Sequence, residues 1–121
     1  MRQFMLILQE NPQDFAHITP DEMQGIIERY AAWSEALASK GRLVEGIKLH
    51  DEGGRLMSRV GGRTSVTDAA YAEAKEVIGG VFIIRAEDYD EAVLLAEDCP
   101  HLENGTIRVR EIHDLSVATA G

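Results

Sequence analysis

The sequence predicts an α+β domain built on an antiparallel sheet. Two helix starts with full capping signals, at Thr19 and Asp88, are each flanked by short apolar runs of strand length. The chain is 121 residues long and 45% hydrophobic, which suits one globular domain.

Phe4-Met5-Leu6-Ile7-Leu8 is a continuous apolar run closed by Gln9, Glu10, Asn11 and Pro12. Its length predicts a central strand covered on both faces. A loop from Asn11 to Ile18 leads to Thr19, an N-cap. Pro20 then takes the first helical position and Glu22 falls three residues after the cap, the spacing of a capping box. Met23, Ile26, Ile27, Tyr30, Trp33 and Leu37 recur at steps of three and four, laying an apolar stripe on a helix from about Pro20 to Ser39, which Gly41 stops.

Leu43 to Leu49 reads as a second strand, with Leu43, Glu45, Ile47 and Leu49 on one side and Val44, Gly46, Lys48 and His50 on the other. Two further short runs, around Leu56–Val60 and Arg63–Thr67, meet at Gly61-Gly62. Two glycines between alternating runs favour a hairpin, because both central turn residues then adopt positive φ without steric cost. Asp68 to Gly80 is expected as a loop with at most one helical turn, followed by a strand at Val81–Ile84. Asp88 and Glu91 have the spacing of a second capping box, on a helix whose inner face is Ala92, Leu95, Ala96 and Cys99 and which ends near Pro100. Thr106 to His113 alternates as a last strand. Residues 1–115 form one domain, and the small polar tail 116–121 is expected to fray.

Two strand-helix-strand halves give a ferredoxin-like sandwich, an antiparallel sheet with both helices on one face. The other face carries Leu, Ile and Val side chains with no helix to cover them. An uncovered apolar face calls for a partner, and a second copy paired through its own sheet is the simplest one.

Charge narrows the function. Twelve Lys+Arg against twenty-one Asp+Glu give a net charge of -9, which repels phosphate backbones and argues against nucleic acid. The one cysteine, Cys99, makes no intrachain disulfide, and the five-residue apolar run near the N-terminus is too short for a signal peptide or a membrane span. A cytoplasmic protein with no membrane partner is the expectation. Gly61-Gly62 and Gly79-Gly80 lack phosphate-loop spacing, and neither His50-Asp51-Glu52 nor His101-Leu102-Glu103 supplies three ligands at a metal-binding spacing, so no cofactor or metal is expected.

The stretch from Val66 to Glu111 carries a family resemblance. Val66-Thr67-Asp68, Ala72-Glu73-Ala74-Lys75-Glu76, Ile78-Gly79-Gly80, Asp90-Glu91-Ala92, Cys99-Pro100 and Gly105-Thr106-Ile107-Arg108-Val109-Arg110 resemble the YCII-related proteins of the DGPF subgroup. The first strand, the Thr19-Pro20-Asp21-Glu22-Met23 helix start and the Lys40-Gly41 exit are similar too. Where the subgroup has Asp-Gly-Pro-Phe this chain has Asp68-Ala69-Ala70-Tyr71, which keeps the acid and an aromatic but replaces a sharp bend with residues that accept helical geometry. The resemblance implies a ferredoxin-like fold that dimerises through its sheets as a dimeric α/β barrel, with a pocket near the interface. It also implies kinship with enzymes acting on small cyclic or aromatic compounds and with a YCII branch in which a His-Asp pair has been proposed as catalytic.

Asp68 paired with a histidine is accordingly the leading acid-base candidate, since imidazole moves protons near neutral pH and a carboxylate fixes its tautomer. His17, in the loop before the first helix, is the histidine placed to face a ligand. Lys75 is suited to neutralising an anionic substrate and Glu73 to acting as a base, while Tyr71, Glu76, His50 and His101 are candidate ligand contacts. Each has a plain structural alternative: a turn or cap for Asp68, a solvated charged loop for Glu73, Lys75 and Glu76, a surface or loop position for each histidine. Three functions follow: a small-molecule-binding or regulatory domain, a cofactor-independent acid-base enzyme (isomerase or lyase) on a small organic acid, or a purely structural dimer. The first is favoured, because no nucleophile, metal set or cofactor motif stands out, and the sequence leaves open whether the domain is an enzyme.

Overall fold

The computed structural model describes residues 1–69 and 76–114. Strand β1 (Arg2–Glu10) is followed by a single 3-10 turn at Pro12–Phe15, where a plain loop was expected; the Asn11 side chain caps it by accepting from the Gln13 amide at 3.0 Å. Helix α1 (Pro20–Ser39) begins as the cap predicts: Thr19 Oγ1 accepts from the Glu22 amide at 3.2 Å while the Glu22 carboxylate reaches back to the Thr19 amide. Gly41 ends it with a φ of 71°, a left-handed turn that costs glycine nothing. Next come β2 (Leu43–Lys48), β3 (Arg55–Val60), β4 (Arg63–Asp68), β5 (Val77–Ala86), α2 (Tyr89–Ala96), a second 3-10 turn (Pro100–Glu103) and β6 (Gly105–Glu111).

Four strands form an antiparallel sheet in the order β2-β5-β1-β6, with β1 in the middle as its apolar run predicts. Phe4, Leu6 and Leu8 of β1 and Ile84 and Ala86 of β5 turn to one side, where Trp33 and Leu37 of α1 and Ala92, Ala96 and Cys99 at α2 bury them. Edge-to-face aromatic contacts tie each helix down, Trp33 on Phe82 and Tyr89 on Phe4, both with centroids 4.9 Å apart. This is the ferredoxin-like α+β sandwich. Among the described residues β3 and β4 pair only with each other, a separate two-stranded hairpin turning through Gly61 (φ 57°) and Gly62 (φ 78°).

Three sequence expectations need correction. β5 begins at Val77, so Val77–Gly80 is strand, although residues 70–75 of the expected Asp68–Gly80 loop lie outside the described residues. The two glycines are there for close approach: a Cβ on Gly80 would come 2.7 Å from the Ile47 carbonyl oxygen. Simple alternation fails in β2, because an irregularity between Leu43 and Glu45 pairs Leu43 with Ile84 on the helix side but Glu45 with Ile83 on the open side. At α2, Asp88 caps the Glu91 amide at 2.9 Å, but Glu91 accepts from the Glu87 amide and from Arg42, so the reciprocal half of the box is displaced by one residue. The expected tail 116–121 lies outside the described residues. Among the described residues no helix is long and apolar enough to cross a membrane.

Candidate functional site

The antiparallel order brings four strand ends to one edge of the sheet. Glu10 closes β1 opposite Val77 and Gly105, where β5 and β6 begin, while Lys48 at the end of β2 pairs with Gly80. A concavity of about 740 Å³ opens there. Gln9 and Glu10 of β1, Asn11 and Asp14 of the first 3-10 turn, and Asn104, Gly105 and Thr106 at the start of β6 form much of its wall, with Glu76 opposite.

His101 stands behind that wall, 3% exposed. Pro100 starts the 3-10 turn that carries it inward. Its Nε2 lies 2.8 Å from the Gln9 carbonyl, which only accepts, so Nε2 donates there; Nδ1 shares a hydrogen bond with the Tyr30 hydroxyl at 2.9 Å. Burial, reinforced by the negative charge of neighbouring acids, holds the Tyr30 phenol far above its ordinary pKa, so it stays a donor. A sheet strand, a helix and a turn are thus joined through one imidazole, and no room is left for error: a Cβ on Gly105 would stand 2.5 Å from both the Gln9 oxygen and His101 Nε2.

On the cavity side, the Glu10 carboxylate lies against Gly79, whose missing side chain provides the space. Burial raises the pKa of Glu10 above the usual carboxylate range; His101 and Lys48 oppose the rise and Asp51 adds to it. A carboxyl that holds its proton to higher pH than usual, beside an open cavity, is suited to exchanging a proton with a bound molecule. Thr106 Oγ1 donates to Glu76 at 3.3 Å, and Glu103 at the rim is clasped by Arg29 at 2.8 Å.

Of the residues singled out from sequence, Glu76 and His101 meet at this corner, one on the cavity wall and the other behind it. Asp68 ends β4, faces solvent and pairs with Arg55 at 2.8 Å. His17 and His50 are exposed, His17 just after the 3-10 turn and His50 after β2. Tyr71, Glu73 and Lys75 lie outside the described residues. Glu10 was missed. It reads in sequence as the polar end of an apolar strand, and its signal is relational: an acid closing a central strand, with paired glycines in the strand beside it. Among the described residues no group of three or more His, Cys, Asp or Glu side chains is arranged to hold a metal.

The model of the YCII-related domain matches residues 2–116. The chain belongs to the YCII-related family. No curated protein matches the sequence. Among solved structures, 5-chloro-2-hydroxyhydroquinone dehydrochlorinase (TftG) from Burkholderia phenoliruptrix AC1100, in complex with 2,5-dihydroxybenzoquinone, is similar to this YCII-related domain. The two are 21% identical over 94% of this chain and 97% of that one, with a TM-score of 0.45.

Proposed function

We propose that this YCII-related domain binds a small polar organic molecule in the concavity at the edge of its sheet, with Glu10 as the group that meets it. The observation that carries this reading is the Glu10 carboxyl itself: half-buried, raised in pKa, seated on a glycine and turned to a cavity whose wall is fixed from behind by His101. Structural carboxylates are usually paired or solvated; a partly desolvated one beside a pocket is a functional-site candidate. The raised pKa also favours a second reading, acid-base catalysis with Glu10 as the proton carrier. Asp68, His17, Glu73 and Lys75 stay proposals as catalytic groups, and Tyr71 and His50 as ligand contacts, alongside the two residues at the corner.

The domain is further proposed to work as a homodimer. Met5, Ile7, Val81 and Ile83 share the sheet face opposite the helices, and Ile47, paired with Val81, extends it. The Ala72–Glu76 and Cys99–Pro100 runs support placing the chain with the DGPF subgroup, and the single buried thiol suits a reducing cytoplasm.

Amide NMR spectra of the intact protein, titrated with a panel of small hydroxylated aromatic and aliphatic acids, test the site. At least one compound is expected to move the Gln9, Glu10, Gly105 and Thr106 amides, and to do so weakly or not at all in Glu10→Gln. Shifts confined to other surfaces would overturn the assignment. A bound compound that is converted, with a rate following the titration of Glu10, would favour the enzyme reading over simple binding.

A further inference from the structure

Among the described residues the β3–β4 hairpin joins no other strand of its own chain. A lone two-stranded hairpin is marginal in water, and both strands are exposed along almost their whole length. Leu56, Met57, Val60 and Val66 are each more than half exposed, on both of its faces. Its charge is equally out of place. Arg55 to Asp68 holds three arginines and one aspartate, whereas the rest of the chain holds nine basic residues against twenty acidic ones. Arg55 pairs with Asp68, leaving Arg59 and Arg63 near the tip without an ion pair among the described residues.

The cavity shows the opposite imbalance. Glu10, Asp14, Glu76 and Glu103 line it, and no basic side chain does among its described lining residues. Of these four, Glu103 is the one in an ion pair among the described residues, with Arg29; Lys48 and His101 act on Glu10 without pairing with it. Four carboxylates around one cavity repel one another and any anionic ligand, and the partial burial of Glu10 sharpens that cost.

We propose that the β3–β4 arm of one chain reaches across to a second copy and closes its acidic cavity, bringing Arg59 and Arg63 to the rim. Both the arm's exposed apolar side chains and its excess positive charge are then matched, and the cavity gains arginines at its rim to face its excess of acid. The open face of the four-stranded sheet gives the two copies a surface on which to meet, and the arm springs from the same sheet edge as the cavity, between Lys48 and Val77. A site completed in this way accepts a small carboxylic acid, held by arginine from the partner and protonated or deprotonated by Glu10. This deepens the function proposed above and rests on the same cavity.

Cross-linking separates the arm from the site. Arg63→Cys and Asp14→Cys are prepared as two single variants of the full chain, at exposed positions that do not touch the core. Mixed and treated with a short bis-maleimide, they are expected to give covalent dimer several-fold above either variant alone, with the unaltered protein, whose Cys99 is buried, as the blank. Charge reversal at the tip, Arg59→Glu with Arg63→Glu, is expected to weaken dimerisation at low salt about tenfold or more, and Asp14→Lys to restore part of it. No excess cross-link in the mixture overturns the proposal. If cross-linking fails while a panel acid still moves the Gly105 and Thr106 amides, the arm is wrong and the site stands. If cross-linking succeeds and no compound binds, the arm stands and the site reading falls.

Discussion

The four-stranded sheet and the β3–β4 arm are both antiparallel β-structure, yet they are held by different things. In the sheet, Phe4, Leu6 and Ile84 are completely buried, and each strand is fixed by the side chains it turns toward the helices. In the arm, Val60 is 70% exposed and Met57 66%, and the strands are fixed by local chemistry alone: a Gly-Gly turn, cross-strand pairs and one ion pair at the base. Burial makes the first self-sufficient. The second has register without a core, which is how a segment shaped for contact with something outside the chain is built.

That contrast is broken most severely at the centre of the sheet. Phe4→Ala should cost about 3–5 kcal/mol, since it opens a cavity under Tyr89 in a site with no slack. A drop of the melting temperature no larger than that of a surface variant would show that the sheet is not the stabilising unit. His101→Ala comes next at about 1–3 kcal/mol, because the Gln9 carbonyl and Tyr30 hydroxyl lose their shared partner; urea unfolding reads it directly. Thr19→Ala removes the α1 cap and should cost about 1 kcal/mol.

Glu10→Gln sharpens the comparison through pH. The folded chain holds the Glu10 proton to higher pH than the unfolded chain does, so its contribution to stability is full below the ordinary glutamate pKa and is lost as pH rises through the raised one. Glutamine cannot titrate, and the variant's melting temperature should therefore fall less across that window; parallel curves would show that Glu10 is not desolvated. The smallest effect belongs to the arm. Leu56→Ser and Met57→Ser should leave the dilute monomer within about 0.5 kcal/mol of the parent in denaturant, and a larger loss would place the arm within the chain's own core.

Most of the sheet and both helices are legible in sequence because their signals are local: caps at Thr19 and Asp88, a positive-φ stop at Gly41, an apolar stripe through Trp33 and Leu37. What escapes is set by neighbours distant in the chain. Gly79-Gly80 reads as a turn until Glu10 and the Ile47 carbonyl are seen pressed against it. The irregularity at the start of β2 has no marker in Leu43-Val44-Glu45. The candidate site divides in the same way. Histidines and the Asp68–Glu76 run draw attention by residue type, whereas Glu10 gains its character from desolvation at a strand end, a property of the assembled edge and not of the residue.

The place of β1 in the sheet also governs when the domain can form. Residues 2–10 are paired on one side with residues from 77 to 86 and on the other with residues from 105 to 111. As the chain leaves the ribosome, its first strand therefore has nothing to bond with until most of the sequence has been made, and the loops that must close are long. The backbone hydrogen bonds of α1 and of the hairpin are local and can form early; the core closes last, when residues 2–10, 77–86 and 105–111 come together.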